Sequence, residues 1–283
     1  MRILSIQSSV AYGYVGNSAA TFPLQRLGHE VYPVSTVHFS NHTGYGSWRG
    51  IVLEPEVISD VIEGIAERGA LAQVDAVLTG YQGSPGVADV VLRTVQRVRD
   101  LNAAAIYCCD PVMGDVGRGM FVRPGIPEFM RDTVVPQADI LTPNHFELDF
   151  LAGTTTTTLD EVLAAVDTVR DRSPRDVLVT SVLHAGVPPD SLDVVAVSDA
   201  GAWAVTTPLL PITPNGCGDV TAALYLAHLT TTGSPATALE RTTASVFAVL
   251  EATLAAGTRE IQLVAAQDAI ADAPSTFPAR QLR

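Results

Sequence analysis

Short apolar runs rich in β-branched residues alternate with stretches of helical period through the first two thirds of the chain, and that rhythm restricts the fold more than any other feature. The strand candidates are residues 3–7, 31–37, 76–79, 105–109, 140–142 and 177–181. Between them, residues 18–27, 57–68, 87–101, 127–134 and 159–170 carry apolar side chains at helical spacing. Strands separated by helices predict an α/β fold of three layers, with helices on both faces of a mostly parallel central sheet. Ser84-Pro85 reads as an N-cap followed by proline in the first turn, and Thr158-x-x-Glu161 as a capping box. Residues 194–197 and 203–207 look like a hairpin or edge pair, after which 218–229, 236–256 and 263–271 read as closing helices. No linker or repeat interrupts the pattern, so one domain spanning residues 1–283 is expected.

The 47% of hydrophobic residues is enough for a sizeable core, yet no window approaches the roughly 20 uncharged apolar residues of a bilayer-spanning helix. The first residues, MRILSIQSS, enter a strand pattern directly, without a leader-like apolar stretch, and a cytoplasmic protein with no membrane partner is expected. The net charge is −13, and no basic cluster exists to release counterions, which disfavours a nucleic-acid partner. Small anionic nucleotides remain possible ligands, because backbone N–H groups and a metal ion can hold phosphates locally.

All 17 basic residues are arginine. Without lysine there can be no internal Schiff base for a pyridoxal-phosphate-dependent enzyme, no P-loop lysine and no protein-kinase strand lysine. Cys108, Cys109 and Cys217 form neither a disulfide framework nor a C-x-x-C pair, and they read as reduced, buried small hydrophobes. Gly13-Tyr14-Val15-Gly16 follows a strand but lacks the full dinucleotide fingerprint. The histidines show no helical zinc spacing.

In open parallel sheets, ligands sit beyond the carboxyl ends of the strands. Four polar, glycine-bearing segments occupy such places: residues 8–17, 38–49, 110–119 and 214–219. The last contains Asn215-Gly216-Cys217-Gly218-Asp219 at the start of a helix. Two glycines let successive N–H groups point at one spot, and the positive end of the helix makes that spot an anion hole. Asp219 beside it can take a proton from a hydroxyl attacking the anion, although an ordinary capped helix start would carry the same residues.

The G-x-G-D turn resembles that of the ribokinase-like kinases, and other segments narrow the resemblance to pyridoxal kinases. These are Ile6-Gln7-Ser8 with Tyr12-Gly13-Tyr14-Val15-Gly16-Asn17, Phe39-Ser40-Asn41-His42-Thr43-Gly44-Tyr45-Gly46, Leu78-Thr79-Gly80-Tyr81, Cys109-Asp110-Pro111-Val112-Met113-Gly114-Asp115 and Thr142-Pro143-Asn144-His145-Phe146-Glu147. Val264-Ala265-Ala266-Gln267-Asp268 adds a further match to bacterial members.

The resemblance implies transfer of the ATP γ-phosphate to the 5′-hydroxyl of pyridoxal, with Asp219 as base and the N–H groups of Gly216, Cys217 and Gly218 as the anion hole. It implies that Ser8 and Thr43 bond the pyridine substituents, that Gly44 lets the backbone come close, and that Val37 and Tyr81 pack on the ring. Asp110 and Glu147 are implied for Mg²⁺, through water, and Asp115 for a flap over the phosphates. Thr142, Asn144, Thr180, Ser181 and the stretch Thr207, Pro208, Leu209, Leu210 are implied for the nucleotide side. A homodimer and K⁺ activation belong to the same expectation. Thr180 stands where some bacterial members carry lysine, and His38 where glutamine is expected. The alternatives are a hydroxymethylpyrimidine kinase of the same superfamily, disfavoured by residues 39–46, and a pyridoxal-phosphate reservoir with low catalysis.

Overall fold

The computed structural model describes residues 1–283. The first half runs β1 (Arg2–Val10), α1 (Asn17–Arg26), β2 (Glu30–Phe39), β3 (Gly50–Val52), α2 (Pro55–Glu67), β4 (Ala76–Thr79), α3 (Pro85–Leu101), β5 (Ile106–Cys109), β6 (Gly114–Asp115), β7 (Gly119–Met120) and α4 (Ile126–Phe129). The second runs β8 (Ile140–Leu141), α5 (His145–Ala152), α6 (Leu159–Arg170), β9 (Asp176–Val182), β10 (Ser191–Ser198), β11 (Gly201–Pro208), α7 (Cys217–Thr232), α8 (Pro235–Ala256), α9 (Gln267–Ala271) and β12 (Arg280–Gln281). Ten strands form one sheet in the order β12-β11-β10-β9-β8-β5-β4-β1-β2-β3, and β6–β7 is a separate hairpin. The six strands from β9 to β2 are parallel. The edges, β3 on one side and β10–β12 on the other, are antiparallel. The expected α/β class and the hairpin near residues 194–207 are both present.

Period-two alternation sends each central strand into two cores. Ile3, Leu78, Cys108 and Leu178 pack with Ala20, Leu24, Ala223 and Leu239 of α1, α7 and α8. Their neighbours Leu4, Val77, Cys109 and Val179 pack with Ile62, Val91, Leu148 and Val166 of α2, α3, α5 and α6. Strands buried on both faces are mostly apolar, which explains the hydrophobic runs of β4, β5 and β9. In β1 the buried Ser5 and Gln7 break the run, and Gln7 Nε2 donates to Ser5 Oγ at 3.0 Å. The caps are where the sequence places them. Ser84 Oγ accepts from Val87 N at 3.3 Å, and Thr158 and Glu161 close a reciprocal capping box at 3.3 and 3.0 Å.

Two expectations need correction, and one helix goes beyond them. Residues 127–134 are not one α-helix: α4 starts at Ile126 and passes at Met130 into a π-helical turn reaching Val134. The β-branched run Thr133–Val134–Val135 fits α spacing poorly, and Pro136 stops the helix. Within 263–271 only Gln267–Ala271 is helical. Leu263 and Ala266 still reach the core beside Ile261 and Ile270, so a turn satisfies the apolar spacing that suggested a longer helix. Helix α5 was not anticipated; it opens with a second capping box, Asn144-x-x-Glu147.

The chain goes from β1 to β2 on one side, then crosses to β4 on the other. Connections leaving the carboxyl ends of β1, β2 and β4 therefore diverge, and such a switch point is where an open parallel sheet has its crevice for a ligand.

Candidate active site

Helix α7 points its N-terminus into this crevice. Its N-cap, Gly216, has φ +90°, and a Cβ there would fall 1.9 Å from the carbonyl oxygen of Tyr14. Only glycine allows the turn to lie directly on the first loop. The amides opening α7 have no intrahelical acceptor, so they and the helix dipole form an anion site. Asp219 sits in the first turn, and its Oδ1 lies 3.5 Å from the place a Cβ on Gly80 would take. Burial pushes its carboxyl up to about 6, partly offset by the amides of Gly16 and of Asp219 itself. Burial likewise pushes the Cys217 thiol up to about 12, which leaves it no thiolate character at neutral pH.

A second carboxylate, Asp110, follows β5 and is buried. Its Oδ1 accepts from Thr142 Oγ1 at 3.3 Å. Its Oδ2 faces Gly218, 3.7 Å from where a Cβ would stand. Burial, then the charges of Glu147 and Asp219, raise its pKa well above the carboxylate range. Glu147 is buried too, but its oxygens are engaged. Oε1 accepts from Met113 N at 2.6 Å and Gly114 N at 3.3 Å, and Oε2 accepts from Asn144 N at 3.0 Å. Burial pushes this carboxyl up to about 7 against the opposing effect of those amides.

The Asn144 side chain is equally committed: Oδ1 caps Glu147 N at 3.0 Å and Nδ2 donates to Gly114 O at 2.8 Å. The start of α5 thus anchors the β6–β7 hairpin, in which Asp115 pairs with Arg118 at 3.0 Å. Just before the hairpin, Val112 is held at φ +33°, a strained conformation for a β-branched residue.

On the other side of Asp219, Ser8 lies against Gly16, whose Cβ would fall 2.4 Å from its Oγ. Val37 is buried with Val10, Val15 and Phe39. Thr36 Oγ1 donates to the backbone oxygen of Tyr81 at 3.3 Å, which ties the end of β2 to the segment after β4. Thr43 and Gly44 form an exposed helical turn. A Cβ on Gly44 would stand 3.6 Å from Asn215 Nδ2, so this turn faces the start of α7.

The residues expected at the nucleotide cluster farther along the sheet. Thr180 bridges Asn144 and donates its N–H to Pro143 O at 3.0 Å. Ser181 takes a left-handed φ of +56°. Thr207 is buried at the end of β11, while Pro208 and Leu209 are exposed and Leu210 half-buried. A buried Asp193 stiffens this rim, accepting from Thr206 Oγ1 at 2.5 Å and pairing with His184 Nε2 at 3.1 Å. Sequence reasoning passed over Asp193, and also Arg259 and Glu260 after α8, because none of them falls in a recognisable motif.

The family model described as phosphomethylpyrimidine kinase matches residues 28–264. Among curated proteins, pyridoxal kinase PdxY of Rubrobacter xylanophilus is 56% identical over 283 residues, covering 100% of this chain and 98% of the relative. The chain belongs to the pyridoxal kinase family. The pyridoxal kinase PdxY of Leifsonia xyli is 53% identical over 277 residues, with 98% of each chain covered. Among solved structures, pyridoxal kinase from Leishmania donovani in complex with ADP and pyridoxamine superposes with a TM-score of 0.93 at 29% identity, covering 100% of this chain and 99% of that one. The same kinase with ADP and pyridoxine gives 0.92. A pyridoxal kinase is thus similar over the whole chain, including residues 1–27, which lie outside the family-model match.

Proposed function

We propose that this chain transfers the γ-phosphoryl group of ATP to the 5′-hydroxyl of pyridoxal, giving pyridoxal 5′-phosphate and ADP in vitamin B6 salvage. Pyridoxine and pyridoxamine are further acceptors. The observation that carries the proposal is the half-buried Asp219 at the mouth of the α7 anion site, with Asp110 facing the same turn. Phosphoryl transfer asks a protein mainly for positioning and charge stabilisation. Asp219 takes the hydroxyl proton as the new O–P bond forms and the bond to ADP breaks. The N–H groups of Gly216, Cys217 and Gly218 receive the charge that develops. Ser8, Thr43, Gly44, Val37 and Tyr81 form the vitamin side. Thr142, Asn144, Thr180, Ser181 and Thr207–Leu210 form the nucleotide side, and the hairpin bearing Asp115 acts as the flap that excludes water.

The acidic groups suit Mg²⁺. Asp110 offers a free Oδ2 in a buried space where three carboxyls are pushed towards protonation, and a hard cation wants oxygen ligands. Glu147, with both oxygens on amides, would meet the ion through water. When bound, Mg²⁺ neutralises charge on the nucleotide phosphates. Two further features extend the proposal. One sheet runs continuously from β12 to β3, which favours a single domain over residues 1–283. No helix is long and apolar enough to cross a membrane, and together with three free cysteines this supports a cytoplasmic setting.

The test is a coupled ADP-release assay with Mg-ATP, with and without K⁺, on pyridoxal, pyridoxine, pyridoxamine and hydroxymethylpyrimidine. The expected result is efficient turnover of pyridoxal. Much faster turnover of the pyrimidine would move the chain to a hydroxymethylpyrimidine kinase. Pyridoxal 5′-phosphate binding without turnover of any alcohol would mark a reservoir.

A homodimer is also proposed. Trp48, Ile51, Val52, Val57 and Val61 are all at least 44% exposed along β3 and the first turns of α2, a run of apolar surface that a partner copy would cover. Light scattering is expected to give twice the 29.8 kDa chain mass. Ile51→Arg combined with Val57→Glu is expected to halve that value, and a wild-type mass of one chain would refute the dimer.

A further inference from the structure

Glu260 lies in the loop after α8, outside every motif that carries the chemistry, yet three segments of the site converge on it. Its Oε2 accepts from Tyr14 N at 3.1 Å, in the first loop. Its Oε1 accepts from the Tyr45 hydroxyl at 2.6 Å, in the turn that follows β2. Its backbone forms a parallel bridge with Asn215, immediately before the catalytic turn. Gly13 rests directly on the carboxylate: it has φ +91°, and a Cβ there would fall 2.0 Å from Oε2. The neighbouring Arg259 places its guanidinium 4.2 Å from the Tyr45 ring centroid and donates to Gly44 O at 3.2 Å.

These contacts differ from the local ones within each segment. The turn at residues 43–45 is otherwise closed mainly on itself, with the His42 side chain accepting from Gly44 N at 3.1 Å and Asn41 Nδ2 donating to Ser47 O at 2.9 Å. Ala11 N and Tyr12 N bond Phe39 O and Ser40 O at 2.9 and 2.8 Å, and Tyr12 meets the Tyr45 ring edge-on. These contacts fix the start of the first loop, but they do not set how far the turn stands from the loop's Gly13–Tyr14 end. Glu260 does, because one rigid carboxylate binds a group from each. The hydrogen bond to Glu260 also pushes the Tyr45 phenol up to about 12, so it stays a donor throughout the working pH range.

We propose that Glu260 is a positioning residue for the vitamin, fixing the width of the slot between the first loop and the 43–45 turn, while Arg259 holds the Gly44 carbonyl in place. This deepens the pyridoxal kinase reading and rests on it. Without the latch the Tyr14 and Tyr45 ends of the two walls lose their shared anchor, and the cost of ordering them falls on vitamin binding. The nucleotide side is built from other segments and is spared.

The experiment measures KM and kcat for pyridoxal and for ATP in Glu260→Ala, Glu260→Gln and Tyr45→Phe. Losing a hydrogen bond to a charged group in Glu260→Ala is expected to raise the pyridoxal KM about tenfold or more, with the ATP KM changed by less than about twofold. Gln, which keeps an acceptor, and Phe, which loses one hydroxyl, are expected to fall between. The Glu260→Ala/Tyr45→Phe double variant is expected to be less than additive. An unchanged pyridoxal KM in Tyr45→Phe would overturn the proposal, and that variant serves even if Glu260→Ala does not fold. So would a Glu260→Ala protein whose two KM values rise together as its melting temperature drops. A wild-type protein that phosphorylates no B6 alcohol sinks the kinase reading itself, and this inference falls with it.

Discussion

Asp219→Asn is expected to lower kcat for pyridoxal phosphorylation by about 10²–10⁴-fold, the usual contribution of a general base, while ATP affinity and melting temperature stay near their original values. Asparagine fills the same space and leaves the α7 turn intact, but it cannot take the proton. The same substitution has a signature in pH. A base works when unprotonated, and burial pushes the Asp219 carboxyl up to about 6 in the ligand-free protein. The wild-type kcat/KM, which reports free-enzyme groups, is therefore expected to rise with pH through about 6 and then level off. The residual rate of the Asn variant is expected to lack that limb.

Stability runs the other way. Asp219 at about 6 and Glu147 at about 7 lie above their unfolded values of 3.8 and 4.5, and Asp110 is raised as well. The folded state therefore holds extra protons between those limits, and their contribution to stability is lost as pH rises through them.

Glu147→Ala is expected to cost roughly 3 kcal/mol of stability and to abolish ordering of the β6–β7 hairpin. Three backbone donors, Met113 N, Gly114 N and Asn144 N, would lose their acceptor at once. At roughly 2–4 °C per kcal/mol for a chain of this size class, the melting temperature is expected to fall by about 6–12 °C. Glu147→Gln keeps one acceptor oxygen and relieves repulsion with Asp110, so its loss is expected to be smaller. The two substitutions separate the structural duty of this side chain from any part in Mg²⁺ binding. If Gln retains the melting temperature yet raises the Mg²⁺ requirement, the water-bridged role holds. If Ala melts like the parent, the anchoring argument fails.

What the sequence made legible follows from how local each signal is. Strands buried on both faces need mostly apolar runs, so β4, β5 and β9 stand out, and β1 does so despite its buried Ser5 and Gln7. Ser84-Pro85 and Thr158-x-x-Glu161 marked two helix starts because capping acts within four residues. Helix α5 escaped although Asn144-x-x-Glu147 has the same spacing, because its eight residues are too few to display a period. The false extension of the helix at 263–271 has the opposite cause: Leu263 and Ala266 must be apolar to reach the core, whatever the backbone does there.

In the candidate site, the turn at 216–219 is legible as a helix start because its glycines and Asp219 have specific local work to do. The duty of Glu147 was only half visible. The resemblance to pyridoxal kinases implies a metal there, but its amide partners at 113 and 114 lie more than thirty positions away in sequence. Glu260 and Asp193 were invisible for the same reason, being acids whose meaning depends on which distant loops fold onto them.

The two margins of the sheet carry a consequence for how the protein survives at cellular concentrations. A ten-stranded sheet with open borders would be a template for runaway stacking of copies. Here β3 covers only the last three residues of the ten in β2. The uncovered stretch contains Pro33, which has no N–H to offer an incoming strand. At the opposite margin, β12 is two residues long and carries Arg280. Neither border offers a flat row of donors and acceptors, so association is channelled to side-chain surfaces, where it can close on itself and stop.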